Sequence, residues 1–248
     1  MEKVVKLFNG HSGSFVALLE DTKRKRLFVR KVFNVGRNVE RLSVLNELGY
    51  PVPKIYDHRN DVLDMEYIHG LDIKNYLLYN NPVALYEFIC ELIESFEQTV
   101  TGYKDYTETY HEKLEWLPSD FLFTKDELIA ELPKLLPQSL YHGDLTLENI
   151  LYTDPGFHLI DPVTIEYDSF VFDMAKLRQD IQCKWFIRNS DVHLDIKLQT
   201  LFELLEQSFP SYFNDSLLIL MLLRVLKHCK KDDDNYRFLM KEIERLWK

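Results

Sequence analysis

Cysteine is nearly absent from this chain. Cys90, Cys183 and Cys229 are the three among 248 residues, scattered with no C-x-x-C spacing. An odd, sparse set argues against a disulfide framework or a zinc site, and reads as reduced thiols in a cytosolic protein. Each reads as a small core residue rather than a nucleophile. Long apolar runs are also missing. The longest, LLILMLL over Leu217–Leu223, falls far short of the ~20 residues that span a bilayer, so it reads as a buried helix. The opening MEKVVKLFNG lacks the apolar stretch of a secretory signal. Positive charge is in deficit, with 30 Lys and Arg against 40 Asp and Glu and a net charge of −10. That argues against nucleic acid or an anionic membrane as the main partner. It leaves room for a cationic substrate, although an acidic surface more often only keeps a protein soluble. Internal repeats and low-complexity tracts are not seen.

What is present is core material. Hydrophobic residues make up 46% of the chain, enough for one large domain or two small ones. The first 70 residues are rich in strands: VVKLF, SFVALLE and RLFVRKVF carry β-branched and aromatic residues, with DTKRK as a polar turn between the last two. The 3-4 spacing of Leu42, Leu45 and Leu48 predicts one inward-facing helix over 37–48, ended by Gly49 and Pro51. VLDMEYI, residues 62–68, reads as another strand. Beyond Gly70 the pattern turns helical, first over 82–100 and again through the last sixty residues. The expected organisation is therefore a small β-rich lobe over 1–69 and a larger helical lobe over 70–248.

One stretch stands apart, YHGDLTLENILYTDPGFHLIDPV. TDPG is turn chemistry, with Pro155 presetting φ and Gly156 tolerating φ > 0. NILY and FHLI flank it as short apolar strands, which predicts a β-hairpin. Pairing of Tyr152 with Phe157 sets Asn149 opposite Ile160, one residue from Asp161. Converging hard oxygen ligands of this kind suit Mg²⁺, which keeps several waters for phosphate oxygens to replace. Asp144, on the loop just before, is left to accept a proton from an attacking hydroxyl or to orient it.

These residues carry a resemblance. H-x-D-x-x-x-x-N at His142, Asp144 and Asn149 is similar to the catalytic loop of the protein-kinase-like fold, and Asp161 in LIDP resembles the metal-binding acid that follows. The wording HGDLTLENIL and LIDP looks like the aminoglycoside phosphotransferase and choline kinase branch. FDMAKL is similar to a further element of that family, in which Asp173 would brace the catalytic loop. The resemblance spans about residues 8–177, with its elements in family order.

It implies an α+β, bilobal, protein-kinase-like fold: a small antiparallel sheet with one main helix, then a larger, mostly helical lobe. It implies an ATP- and Mg²⁺-dependent phosphotransferase acting on a hydroxyl of a small polar molecule such as a sugar, an aminoglycoside-like compound or an amino alcohol. In NGHSGSFVALLE, Gly10, Ser12, Gly13 and Ser14 would cover the phosphates. Lys31, on one strand face with Val29, would hold them. Backbone groups near Glu66 and Ile68 would bind adenine, Asn149 and Asp161 would bind Mg²⁺, and Asp144 would act on the acceptor. Only eleven residues separate Asp161 from Asp173, little room for a peptide-binding platform. The alternatives are a protein kinase and a nucleotide-binding regulatory protein without turnover.

The chain departs from the family at one place. A gap-free alignment sets Asn38, not a glutamate, where the partner of the phosphate-binding lysine belongs. Asn38 shares the side of Leu42 on the helix, whereas Glu40 lies about 200° around at ~3.6 residues per turn. Asp161 is therefore expected to meet Lys31, with Asn38 beside it as a neutral neighbour and Glu40 to one side. His142 reads as structural, and Glu166 and Asp168 read as solvated loop carboxylates, with contact to a cationic substrate as the alternative. No motif is legible over 102–137.

Overall fold

The structure is a computed structural model and describes residues 2–8, 14–154 and 156–248. The chain forms two compact units. The first holds residues 1–79 together with 142–144 and 148–165; the second holds 80–141, 145–147 and 166–248.

The first unit is built on a five-stranded antiparallel sheet of order β1-β2-β3-β5-β4. Its strands are β1 (Glu2–Phe8), β2 (Phe15–Asp21), β3 (Arg26–Val32), β4 (Ile55–Arg59) and β5 (Val62–Glu66). The helix α1 (Gly36–Glu47) follows β3 and buries Asn38, Leu42 and Leu45 along one stripe. Leu48 corrects the expected stripe, for it is 59% exposed. The helix has already ended there. The amide of Gly49, at φ 80°, donates to the Asn46 carbonyl and that of Tyr50 to the Leu45 carbonyl. Leu48 is the C-cap, and the left-handed Gly49 just beyond it turns the chain away where the packed stripe ends.

A second, three-stranded sheet belongs to the same unit. It contains the predicted hairpin, Ile150–Thr153 against Gly156–Leu159, with β6 (Leu71–Asp72) on its outer side. Tyr152 pairs with Phe157 as expected. The next helix, α2 (Ile73–Tyr79), sets Tyr76 against both rings, with centroids 4.7 Å from Tyr152 and 5.2 Å from Phe157. Gly70 lets β6 enter closely: a Cβ there would lie 2.8 Å from the Tyr152 carbonyl oxygen. β6 and α2 left no readable signal in the sequence.

The second unit is helical: α3 (Val83–Glu97), α4 (Thr107–Lys113), α5 (Lys125–Glu131), α6 (Phe170–Ile181), α7 (Asp195–Ser208), α8 (Asp215–Leu226) and α9 (Asp234–Leu246). A two-stranded hairpin, Gly102–Asp105 with Leu135–Gln138, accompanies them within the stretch that carried no motif. Every residue of α6 is buried. The Leu217–Leu223 run is buried in α8, as its length and composition required. Among the described residues no helix is long and apolar enough to cross a membrane.

Candidate active site

The site is best followed from β3. Strand alternation sends Arg30 and Lys31 to opposite faces. Arg30 forms a bidentate pair with Asp64, at 2.6 and 2.7 Å, and also meets Glu2. Lys31 points the other way, 4% exposed, and its Nζ donates to Oδ1 of Asp161 at 2.6 Å. Glu40 is exposed. An ammonium this deep needs a counter-charge, and Asp161 supplies it, as the helix geometry anticipated.

Asn38 completes the arrangement. Its Nδ2 donates to Oδ1 of Asp161 at 3.0 Å and to the Pro162 carbonyl at 2.8 Å. Both partners are acceptors, which sets the amide's orientation. Asp161 itself has φ 55°, the left-handed region, which costs a β-substituted residue about 1–2 kcal/mol. The turn is held from both sides. The Thr164 amide donates to the Arg37 carbonyl in α1, and the Val163 amide to the His142 carbonyl, each at 3.0 Å.

The hairpin brings Asn149 to the same turn, since its carbonyl accepts from the Ile160 amide at 2.9 Å. The Asn149 side-chain amide donates to the Asp144 carbonyl at 2.8 Å and to Asp144 Oδ2 at 3.2 Å. Its carbonyl oxygen is thereby turned away from Asp144. His142 lies under this loop, fully buried. Nε2 contacts the Ile160 carbonyl at 3.1 Å, and Nδ1 accepts from the Asp144 amide at 3.3 Å. The imidazole is therefore neutral with the proton on Nε2, and burial pushes its pKa down to about 4. Gly143, between them, has φ 92°, a conformation that favours glycine.

The remaining expected residues are placed as follows. Gly10, Ser12 and Gly13 lie outside the described residues. The Ser14 hydroxyl donates to the Phe33 carbonyl at 2.9 Å. The Glu66 amide donates to the Lys54 carbonyl at 2.8 Å, and the Glu66 carboxylate accepts from the Lys54 amide at 3.1 Å. Ile68 follows β5, half-buried in irregular chain.

Two carboxylates were misread or overlooked. Asp168 is no solvated loop residue: it accepts from Lys104 at 2.6 Å, Gln138 at 2.7 Å and the Tyr106 hydroxyl at 3.0 Å. Burial pushes its pKa up, but these three donors outweigh it and leave the pKa below the ordinary carboxylate value. Glu166 pairs with Lys113 at 3.3 Å. Asp180, overlooked, accepts from the Leu147 amide at 2.7 Å, while Asp173 accepts from the Leu145 amide at 3.4 Å. Their seven-residue spacing, two helical turns on one face, was the signal that could have paired them.

A magnesium–nucleotide complex fits what is present. Asp161 and the Asn149 side-chain carbonyl would offer hard oxygen donors, and Lys31 is a buried cation beside Asp161. Among the described residues no three His, Cys, Asp or Glu side chains gather into a metal cluster. Two protein ligands suit Mg²⁺, which fills its octahedron with waters and phosphate oxygens, better than they suit zinc.

The profile of the phosphotransferase enzyme family matches residues 6–197. The chain belongs to that family. This phosphotransferase shares its fold with solved structures of low identity. Aminoglycoside phosphotransferase APH(4)-Ia superposes with a TM-score of 0.69 at 11% identity, over 99% of this chain and 93% of that one. A Haemophilus somnus protein assigned as a fructosamine-3-kinase gives 0.62 at 13% identity, over 100% and 91%. Plasmodium vivax ethanolamine kinase gives 0.54 at 16% identity, over 100% and 82%. No curated protein sequence matches the chain. The expected mixed α/β, kinase-like fold is the one observed.

Proposed function

We propose that this phosphotransferase transfers the γ-phosphate of ATP, as its Mg²⁺ complex, to a hydroxyl of a small polar molecule. The observation that carries the reading is the single hydrogen-bonded frame joining Lys31, Asn38, Asp161, His142, Asp144 and Asn149. Phosphoryl transfer asks a protein for positioning and charge more than for covalent chemistry. Lys31 would hold the phosphates, with the loop of Gly10, Ser12, Gly13 and Ser14 over them. Backbone groups near Glu66 and Ile68 would take the adenine. Asn149 and Asp161 would hold the Mg²⁺, which when bound neutralises charge on the phosphate oxygens. Asp144, fixed by the Asn149 amide and by its own amide on His142, would orient the acceptor hydroxyl and accept its proton. Three cysteines outside any disulfide support a cytosolic setting, and a net charge of −10 supports an acceptor that is not nucleic acid.

ATP consumption measured against a panel of small alcohols, with casein-type proteins alongside, tests the reading. Turnover with one or more small alcohols is expected; phosphorylation of a protein with no small alcohol accepted would overturn it. Asp144→Asn should lower turnover about 10²–10⁴-fold and leave ATP binding nearly intact, while Asp161→Ala should weaken Mg·ATP binding as well. Equal loss of binding in both, measured by calorimetry, would contradict these roles.

A further inference from the structure

We infer that Asn38 is a positioning residue for the metal-binding carboxylate, and that it sets the affinity of the site for a divalent cation rather than for the nucleotide. The inference rests on the reading of Asp161 as a metal ligand.

Asp161 stands at a backbone conformation that the chain does not favour, φ 55°. Such a residue keeps its place only where its surroundings over-determine it. Asn38 does this with one group. Its Nδ2 has two protons, and both are committed: one to Asp161 Oδ1 at 3.0 Å, the other to the carbonyl of the next residue, Pro162, at 2.8 Å. The amide therefore spans the turn and grips the side chain and the backbone together. Asn38 is 7% exposed, on the buried stripe of α1 with Leu42 and Leu45, so it has little rotational freedom. The clamp is anchored again one residue back, where the Arg37 carbonyl takes the Thr164 amide.

The chemistry of the contact matters as much as its geometry. Lys31 and Asn38 both donate to Oδ1. Neither donates to Oδ2, and the side chain is 44% exposed. A neutral donor at position 38 turns one carboxylate oxygen inward and presents the other. It does so without a second positive charge that would compete with a cation, and without a second negative charge that would repel Asp161. Nothing in these contacts places Asn38 on a phosphate. Loss of its two donors should release the Asp161 carboxylate into several rotamers and weaken metal binding, while Lys31 continues to meet the nucleotide.

The test uses Asn38→Leu, which keeps the branched shape and removes both donors, and Asn38→Ala, which leaves room for water should the bulkier leucine fail to fold. Mn²⁺ serves as the probe cation, with free Mn²⁺ followed by electron paramagnetic resonance on the full-length protein holding AMP-PNP. ATP binding is measured separately by calorimetry in EDTA, and folding by thermal denaturation. The expected result is at least a tenfold loss of Mn²⁺ affinity with less than a threefold change in metal-free ATP affinity. A change below threefold in Mn²⁺ affinity would overturn the inference. So would a parallel fall of both affinities, which marks a general structural role. Asp161→Asn separates the two claims: if it leaves Mn²⁺ affinity unchanged, the assignment of Asp161 as a ligand fails, whatever Asn38 does.

Discussion

Arg30 and Lys31 are adjacent basic residues with opposite duties. Arg30 is locked to Asp64 and Glu2 on one face of the sheet, where a planar guanidinium suits two bidentate carboxylates. Lys31 meets Asp161 on the other face, and no glutamate from α1 approaches it. Glu40→Gln should therefore change apparent ATP affinity less than threefold, whereas Lys31→Ala should change it strongly; equal damage from both, in a binding titration, would make Glu40 the lysine's partner. His142 sets a second expectation at this scale. Its native pKa of about 4 lies below the ~6.5 of an unfolded histidine. Below pH ~6.5 the unfolded chain takes up a proton that the native chain refuses, so this residue costs stability as pH falls from ~6.5 to ~4. The total is on the order of 3 kcal/mol, and the effect is absent above pH ~7. Denaturant unfolding of wild type and His142→Asn should give curves of stability against pH that converge toward low pH. Parallel curves would show that the imidazole is not held neutral by burial.

At the scale of elements, the site depends on a hairpin and on what holds it. The hairpin was legible because TDPG between two four-residue apolar runs has few other solutions. Its outer neighbour β6 was not, because two residues, Leu71 and Asp72, carry no periodicity. The constraint there is steric and belongs to Gly70. A methyl at that position would meet the Tyr152 carbonyl oxygen at 2.8 Å and the Leu151 Cβ at 3.0 Å. Gly70→Ala should destabilise the protein by roughly 1–3 kcal/mol, the usual cost of overpacking, readable as a lower midpoint in urea. An unchanged midpoint would mean that β6 gives way freely. α1 was legible along its Asn38, Leu42, Leu45 stripe and misread at Leu48. Spacing alone continues a stripe, whereas the left-handed cap at Gly49 ends it.

Across the whole molecule, the Lys31–Asp161 pair would, on the proposed roles, link the metal to the nucleotide. On those roles, a divalent cation alone would have to share the Asp161 carboxylate with the Lys31 ammonium, whose charge repels it, whereas ATP would draw that lysine to its phosphates. Mg²⁺ by itself should raise the melting temperature little, and Mg²⁺ with ATP should raise it markedly. Ligand at 100 times its Kd contributes about 2.7 kcal/mol. A comparable rise with Mg²⁺ alone, followed by calorimetry or dye fluorescence, would contradict the competition for Asp161.

The sequence by itself determined the hairpin and the register that bring Asn149 to the Asp161 turn. Asp144, Asn149 and Asp161 could be singled out as candidates because the motif that carries them is fixed in residue type and spacing, and the turn that brings Asn149 and Asp161 together is local. It also determined that Asn38, not Glu40, shares the inward side of α1, since helical phase follows from spacing alone. The tertiary structure decided what depended on distant partners. Asp168 looked like a loop carboxylate until Lys104, Tyr106 and Gln138, from 30 to 64 residues away, were seen to converge on it. Asp180 was not singled out, because its role rests on the Leu147 amide, 33 residues earlier in the chain, which donates to it. Burial of a charge is worthwhile only where its donors are already in place, and no local pattern encodes where a distant donor will stand.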